Sequence, residues 1–432
     1  MLKVGWANEN ITPKRPVWLC GYAARTKFSE GVHDPVFVKA CYLSDGKTEA
    51  VLLSCDLAAV SYTQVEKIRK KIKKGCGLQN VIIGATHTHS GPASCEQLVW
   101  EENLLDWEWI AEMEEKAAAA AINAKKNAEP MKLYSGTAPV PEVAKNRRAG
   151  ETEADKELGL LFAKNKNGQV KGIIVNYACH CTILDSSNYL ISADYPFYIY
   201  KETEKLFPGV TTLFFNGACG DLNIGYSADA SALGANMGNL RSYENAEKMA
   251  GFIVRGLKHA MNNSVELENR ITQLNIPLDF PCRDNLPAIP SLILEKEQLE
   301  KNKTEDVISQ TKLVYVKALF HNIKNYCKNG EKTVNSETCI LTIGNAVIVT
   351  VPGELFCEIG KVIKAIFRPI KDGASALGRQ VFVFGFTNGY VGYLPTKKAV
   401  ITGGYECETG VHGAETEAYF IDVIKKAAER LL

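Results

Sequence analysis

The stretch Val81-Ile82-Ile83-Gly84-Ala85-Thr86-His87-Thr88-His89-Ser90-Gly91-Pro92 decides how this chain is read. A short apolar run enters His-Thr-His and stops at Gly-Pro, the pattern of a buried strand that ends in a loop. Side chains two apart on a strand share a face, so His87 and His89 converge on one point where the strand reaches the rim of its sheet. Converging imidazoles suit a metal site; the structural alternative is a pair that caps the strand by bonding loop carbonyls. Only 7 histidines occur in 432 residues, and two of them at this spacing favour the ligand reading.

Working outward, residues 36–43 and 49–57 read as strands joined by the turn Ser44-Asp45-Gly46-Lys47, a hairpin signal. Residues 62–74 have helical spacing, with Val65, Ile68 and Ile72 on one side and lysines on a solvated face. Strand, helix and strand in that order place the histidines at the carboxyl end of a strand, the edge where open α/β sheets bind ligands. Downstream, a helix is expected over 107–127 and strands over 131–137, 158–163 and 170–178. The last of these ends at Cys179-His180-Cys181, a third histidine at the end of a buried strand.

A helix over 195–206 and a strand over 210–215 lead into Asn216-Gly217-Ala218-Cys219-Gly220-Asp221, read as a tight turn rather than an anion cradle. Residues 227–239, rich in Ala, Gly, Ser and Asn, are expected to form a mobile loop over the site. A helix over 246–261 and a strand over 271–278 follow. Residues 292–328 are highly charged with helical spacing in two segments, which predicts an insertion or cap over about 285–332. Residues 338–351 are strand-rich, broken by the turn Ile343-Gly344-Asn345-Ala346, and end at Pro352-Gly353-Glu354. With a helix expected over 355–367, Glu354 serves equally well as a carboxylate on the helix dipole or as a metal ligand. A strand over 380–386 then runs into a Gly- and Tyr-containing stretch holding Tyr390 and Tyr393, and a helix over 415–431 closes the chain. The expected fold is α/β, a single large sandwich-like domain of mixed sheets with a metal site at strand ends.

Composition excludes several partner classes. Hydrophobic residues make up 46% and charged ones 23%, ordinary for a globular protein, and 50 basic against 49 acidic residues leave a net charge of +1. No field therefore favours nucleic acid or an anionic membrane. No apolar stretch of spanning length occurs, and the first ten residues do not read as a signal peptide. The 13 cysteines are scattered without a CxxC pair, which fits reduced, buried thiols of a cytoplasmic protein.

Taken together, Ala85-Thr86-His87-Thr88-His89-Ser90-Gly91-Pro92 resembles the histidine signature of the neutral/alkaline (non-lysosomal) ceramidase family. The resemblance continues in Gly21-Tyr22-Ala23, Gly31-Val32-His33-Asp34-Pro35, Ser54-Cys55-Asp56-Leu57, Asn176-Tyr177-Ala178-Cys179-His180 and Pro352-Gly353-Glu354. It implies the neutral ceramidase catalytic fold and one Zn2+ per chain, held by residues matching His87, His180, Glu354 and Tyr393; Tyr390 is the alternative to Tyr393. It further implies that His89, Arg147 and Tyr405 contact the scissile group. The activity implied is hydrolysis of an N-acyl amide bond by a metal-bound hydroxide. A carboxylic ester hydrolase on the same zinc and a non-catalytic metal-containing binding module are the alternatives.

Two departures qualify the expected chemistry. Where ceramidases carry Asp-Val-Ser-Pro-Asn, with a serine assigned a catalytic role, this chain reads Asp221-Leu222-Asn223-Ile224-Gly225. Asn223 cannot be a nucleophile and is expected to be a positioning donor. A second departure is expected in domain make-up: residues 1–432 are read as the catalytic domain alone, without the C-terminal immunoglobulin-like domain of full-length ceramidases. The expected partner is thus a small-molecule acyl substrate, with neither nucleic acid nor membrane association, and the oligomeric state is left open. A metallo-β-lactamase pattern fails because Gly91 and Pro92 occupy the needed Asp and His places. A cysteine hydrolase using Cys181 or Cys219 beside His180 lacks any mark of thiol activation in the sequence.

Overall fold

Alternating apolar residues organise two sheets face to face. In strand Ala346–Thr350, Ile348 packs into the layer between the sheets, while Val347 and Val349 point the other way into the helix-covered core. The computed structural model describes residues 1–235, 237–301, 306–327, 330–368 and 378–431. Its large sheet runs, strand by strand, Thr211–Asn216, Val170–Tyr177, Glu157–Lys164, Glu129–Pro139, Leu2–Asn10, Phe37–Ser44, Glu49–Cys55 and Val81–Ala85. Only the outermost pair at each edge is parallel. The small sheet joins Ile271–Pro281, Thr333–Ile343, Ala346–Thr350 and Gln380–Phe384, the last two parallel. The expected hairpin is present, Phe37–Ser44 pairing antiparallel with Glu49–Cys55.

Between the sheets, Phe215 and Phe384 stack with centroids 4.2 Å apart. Burying one such side chain contributes about 1.5–3 kcal/mol. The large sheet also curls, so that its two edges meet: the Ser54 hydroxyl donates to the Phe214 carbonyl at 2.6 Å. Behind the signature strand, the segment after Gln380–Phe384 is sewn on by Ala85 N–H to Phe386 O at 3.0 Å and Asn388 N–H to Ile83 O at 2.7 Å. These closures bring strand ends that are far apart in sequence to one rim.

Two expectations change in detail. The helix expected from 355 begins at Cys357, because Glu354–Leu355 pairs in parallel with Tyr393–Leu394. Glu354 is therefore in a short strand and not at a helix start. The stretch 227–239 is no simple loop: Ser227 caps a helix Ala228–Ala232, and residue 236 lies outside the described residues. The charged stretch forms two helices, Ile289–Lys301 and Val307–Tyr326, tied by Lys312–Glu295 and Lys317–Glu300 ion pairs, with residues 302–305 and 328–329 outside the description. Helix Val307–Tyr326 lies against the turn Glu96–Leu98 and the helices Ala228–Ala232 and Tyr405–Thr409, so this stretch caps the rim. Gly220 in the turn after Thr211–Asn216 is required by close approach: a Cβ there would sit 2.3 Å from the Glu354 carbonyl oxygen.

Candidate metal centre and active site

The histidines and Glu354 each follow the carboxyl end of a strand in a parallel pair. His87 leaves Val81–Ala85 at φ +66°, a left-handed conformation that costs a non-glycine residue about 1–3 kcal/mol. Its N–H donates to Leu57 O at 2.9 Å, and its ring stacks on Phe386 at 3.9 Å, which holds the imidazole in that turn. His180 follows Val170–Tyr177, and Glu354 follows Ala346–Thr350 in register with Tyr393.

Counting protons shows what the cluster is built to hold. His87 Nδ1–H donates to Ala58 O at 2.7 Å and His180 Nδ1–H to Leu222 O at 2.9 Å. Burial drives the pKa of His87 down to about 4 and of His180 down to about 3, so both rings are neutral near pH 7. With the proton on Nδ1, each Nε2 presents a lone pair. Both face Glu354 Oε2, at 3.0 Å from His180 and 3.6 Å from His87. The other carboxylate oxygen accepts from the Tyr390 hydroxyl. Three acceptors thus converge on one point, an arrangement that a cation satisfies; the donors that border it are Arg147 Nη1–H, 3.4 Å from His180 Nε2, and the His89 ring. Ligands about 2.0–2.1 Å from a tetrahedral zinc are separated by roughly 3.3 Å, which the 3.0 and 3.6 Å distances bracket. The carbonyls on Nδ1 supply the outer contacts that orient metal-ligating imidazoles.

His89 is gathered as closely. The ligand atoms of His87, His89 and His180 lie within 4.8 Å of one another, and His89 Nε2 is 3.0 Å from His87 Nε2. Its Nδ1 is buried without a hydrogen-bond partner among the described residues, and burial pushes its pKa well below the usual value. The geometry therefore admits His89 as a third nitrogen donor as well as a group facing the substrate.

Arg147 is fixed from three sides. Its Nε donates to Glu406 at 2.8 Å, and its Nη2 donates to Gly220 O at 2.9 Å and to the Tyr393 hydroxyl at 3.0 Å. Glu406 also takes Arg148 at 2.8 Å and is 2% exposed. Tyr405 stands with its ring 6.2 Å from that of Tyr393. His87, His89, Arg147, Glu354, Tyr393 and Tyr405 share one cavity of about 130 Å³. Its lining also includes the apolar Trp18, Leu98 and Ala318 and the ring of Tyr22, beside the polar His321 and Asn322 from the cap.

Asn223 is not brought into this cavity. Its Nδ2 donates to Tyr226 O at 2.8 Å, and its Oδ1 accepts from the backbone of Gly225 and Tyr226, at 2.7 and 3.1 Å. Each of these bonds closes its own turn, so the expected positioning donor is a turn-forming residue. Cys181 donates to Thr86 O, and burial raises the pKa of both Cys181 and Cys219 well above the usual value, leaving neither thiol activated. Sequence reading gave Tyr390 only as an alternative ligand; here it orients Glu354. It gave Glu406 no role. A buried acid bridging two arginines has no signal in a local pattern beyond Asn146-Arg147-Arg148 itself.

The sequence model of the family described as "Neutral/alkaline non-lysosomal ceramidase, N-terminal" matches residues 2–212. A neutral ceramidase of Pseudomonas aeruginosa is 22% identical, over 99% of this chain and 72% of that protein. A neutral ceramidase of Drosophila pseudoobscura pseudoobscura is 25% identical, over 44% of this chain and 30% of that one. The crystal structure of the Pseudomonas aeruginosa neutral ceramidase superposes with a TM-score of 0.75 at 18% identity, covering 99% of this chain and 75% of that chain. A structure described as "Ceramidase complexed with C2" matches equally well, at 0.75 and 17% identity. At those identities the superpositions establish the shared mixed-sheet α/β fold.

Proposed function

On the footing of a chain similar along 99% of its length to a neutral ceramidase, we propose that this protein is a zinc-dependent hydrolase of N-acyl amide bonds. The observation that carries the proposal is the convergence of His87 Nε2, His180 Nε2 and Glu354 Oε2 on one point, with His87 and Glu354 lining the cavity. Tyr393, in register with Glu354, is the fourth ligand in this reading. Zinc held there supplies a Lewis acid for a carbonyl oxygen and makes a water acidic enough to ionise near pH 7.

The chain's own groups do the remaining work. His89 and Tyr405 face the cavity beside the ligands and donate to the oxyanion that develops when the amide carbonyl becomes tetrahedral. Arg147, locked by Glu406, holds the Tyr393 oxygen in place and adds positive charge next to that oxyanion. The apolar wall of Trp18, Tyr22 and Leu98 keeps bulk water from the reacting carbonyl and accepts the acyl group of a small-molecule substrate.

The test is a panel of N-acyl amides and carboxylic esters of graded acyl length, with acid and amine products quantified for wild type and Glu354→Ala. Amide cleavage by wild type and its loss in the variant are expected. Cleavage of none of the amides by metal-replete protein would refute the proposal, and turnover confined to esters would move it to the ester reading.

A further inference from the structure

The whole cap, helices Ile289–Lys301 and Val307–Tyr326, lies between Cys282 and Cys327 in the chain. The two thiols meet at its neck, where the chain enters and leaves, with Sγ atoms 3.1 Å apart although 45 positions separate them. Each backbone is fixed by bonds that do not involve sulfur. Cys282 N–H donates to Lys332 O at 2.8 Å, and Cys282 forms an antiparallel bridge with His412. Cys327 caps the second helix, its N–H donating to Ile323 O at 2.9 Å. Most of the other cysteines are buried, whereas Cys282 is partly exposed and open to a reagent.

We propose that Cys282 and Cys327 form a redox-modified dithiol, a disulfide clasp at the neck of the cap, closed and opened by thiol–disulfide exchange with a small disulfide such as glutathione disulfide. The Cys282 thiolate attacks one sulfur of the reagent, forming a mixed disulfide and expelling one glutathione thiolate. Cys327 loses its proton to solvent and attacks the Cys282 sulfur, expelling the second. Two electrons and two protons pass from the pair to the reagent, giving two molecules of glutathione. Contact with the Cys327 thiol lowers the pKa of Cys282, and the same contact raises that of Cys327, which suits this order of attack. Helix Val307–Tyr326 contributes Ala318, His321 and Asn322 to the cavity wall, so the clasp bears directly on the mouth of the site. The inference stands whether or not the chain hydrolyses amides.

The experiment equilibrates wild-type protein with glutathione disulfide and then with excess reduced glutathione. Intact mass, unreduced peptide mapping and hydrogen exchange are read at each stage. A reversible loss of about 2 Da and a cross-linked peptide joining Cys282 to Cys327 are expected. Exchange that requires the cap to detach should slow by roughly 30- to 1,000-fold in the oxidised form, the range for closing a loop of this size. In Cys327→Ser, the reaction should stop at a glutathione adduct on Cys282. Two alkylatable thiols after oxidation, a bridge elsewhere, or a bridge that leaves cap exchange unchanged would overturn the clasp. An adduct on Cys327 of Cys282→Ser with none on Cys282 of Cys327→Ser would overturn the order of attack.

Discussion

His89 separates two accounts of the histidine cluster, because its Nε2 is 3.0 Å from a candidate ligand nitrogen while its buried Nδ1 has no partner among the described residues. As an oxyanion donor it is dispensable for the metal, so His89→Ala should retain zinc and lose roughly 10²–10³ in kcat, the usual cost of one such donor. Loss of zinc from this variant would make it a ligand instead. His180 gives a second test, in the metal-free protein. Burial lowers its pKa from 6.5 to about 3, so between those values the unfolded chain binds the extra proton and acid destabilises the fold. The stability of wild type relative to His180→Gln should therefore fall by up to about 1.4 kcal/mol per pH unit as pH drops below 6.5. A difference that stays constant with pH, by urea titration at several pH values, would mean that the ring is not held neutral.

The elements explain how well the site could be read before the fold was seen. Strand Val81–Ala85 and the Ile173-Ile174-Val175 centre of strand Val170–Tyr177 are apolar, and a histidine within three residues of each strand's end was legible as a rim residue. Glu354 was legible as a candidate, but its setting was not. The two-residue pairing of Glu354–Leu355 with Tyr393–Leu394 is too short for any periodicity and exists only because the sheets bring those segments together. Asn223 misled for a related reason, since its alignment with a family position says nothing about whether its amide is consumed by its own turn. Close packing of elements yields a further expectation at Gly84. A Cβ there would lie 2.8 Å from both the Phe215 ring and the Thr387 methyl, where the signature strand meets the small sheet. Gly84→Val should cost at least about 1–3 kcal/mol by overpacking and reduce metal affinity by shifting the strand that carries His87. Unchanged stability in denaturant titration would show that this contact gives way easily.

At the scale of the whole molecule, the order of strands and helices was largely readable, and the mixed α/β class with it. The curl was not, because the meeting of Ser54 with the Phe214 carbonyl joins strands 160 positions apart and depends on how the whole sheet twists. That curl, together with the segment sewn onto Val81–Ala85 after residue 384, brings the rim residues of three parallel strand pairs to one point. The fold thereby gathers His87 Nε2, His180 Nε2 and Glu354 Oε2 under a two-helix cap, and the account stands or falls on whether that point is a catalytic metal centre. Titrating zinc into metal-depleted protein while following hydrolysis of a cleavable N-acyl amide tests this most directly. Activity should rise in proportion to bound zinc and saturate at about one ion per chain, with neither binding nor activity in His180→Ala. Full activity before any zinc is added, or saturable zinc binding that is unchanged in His180→Ala, would contradict it.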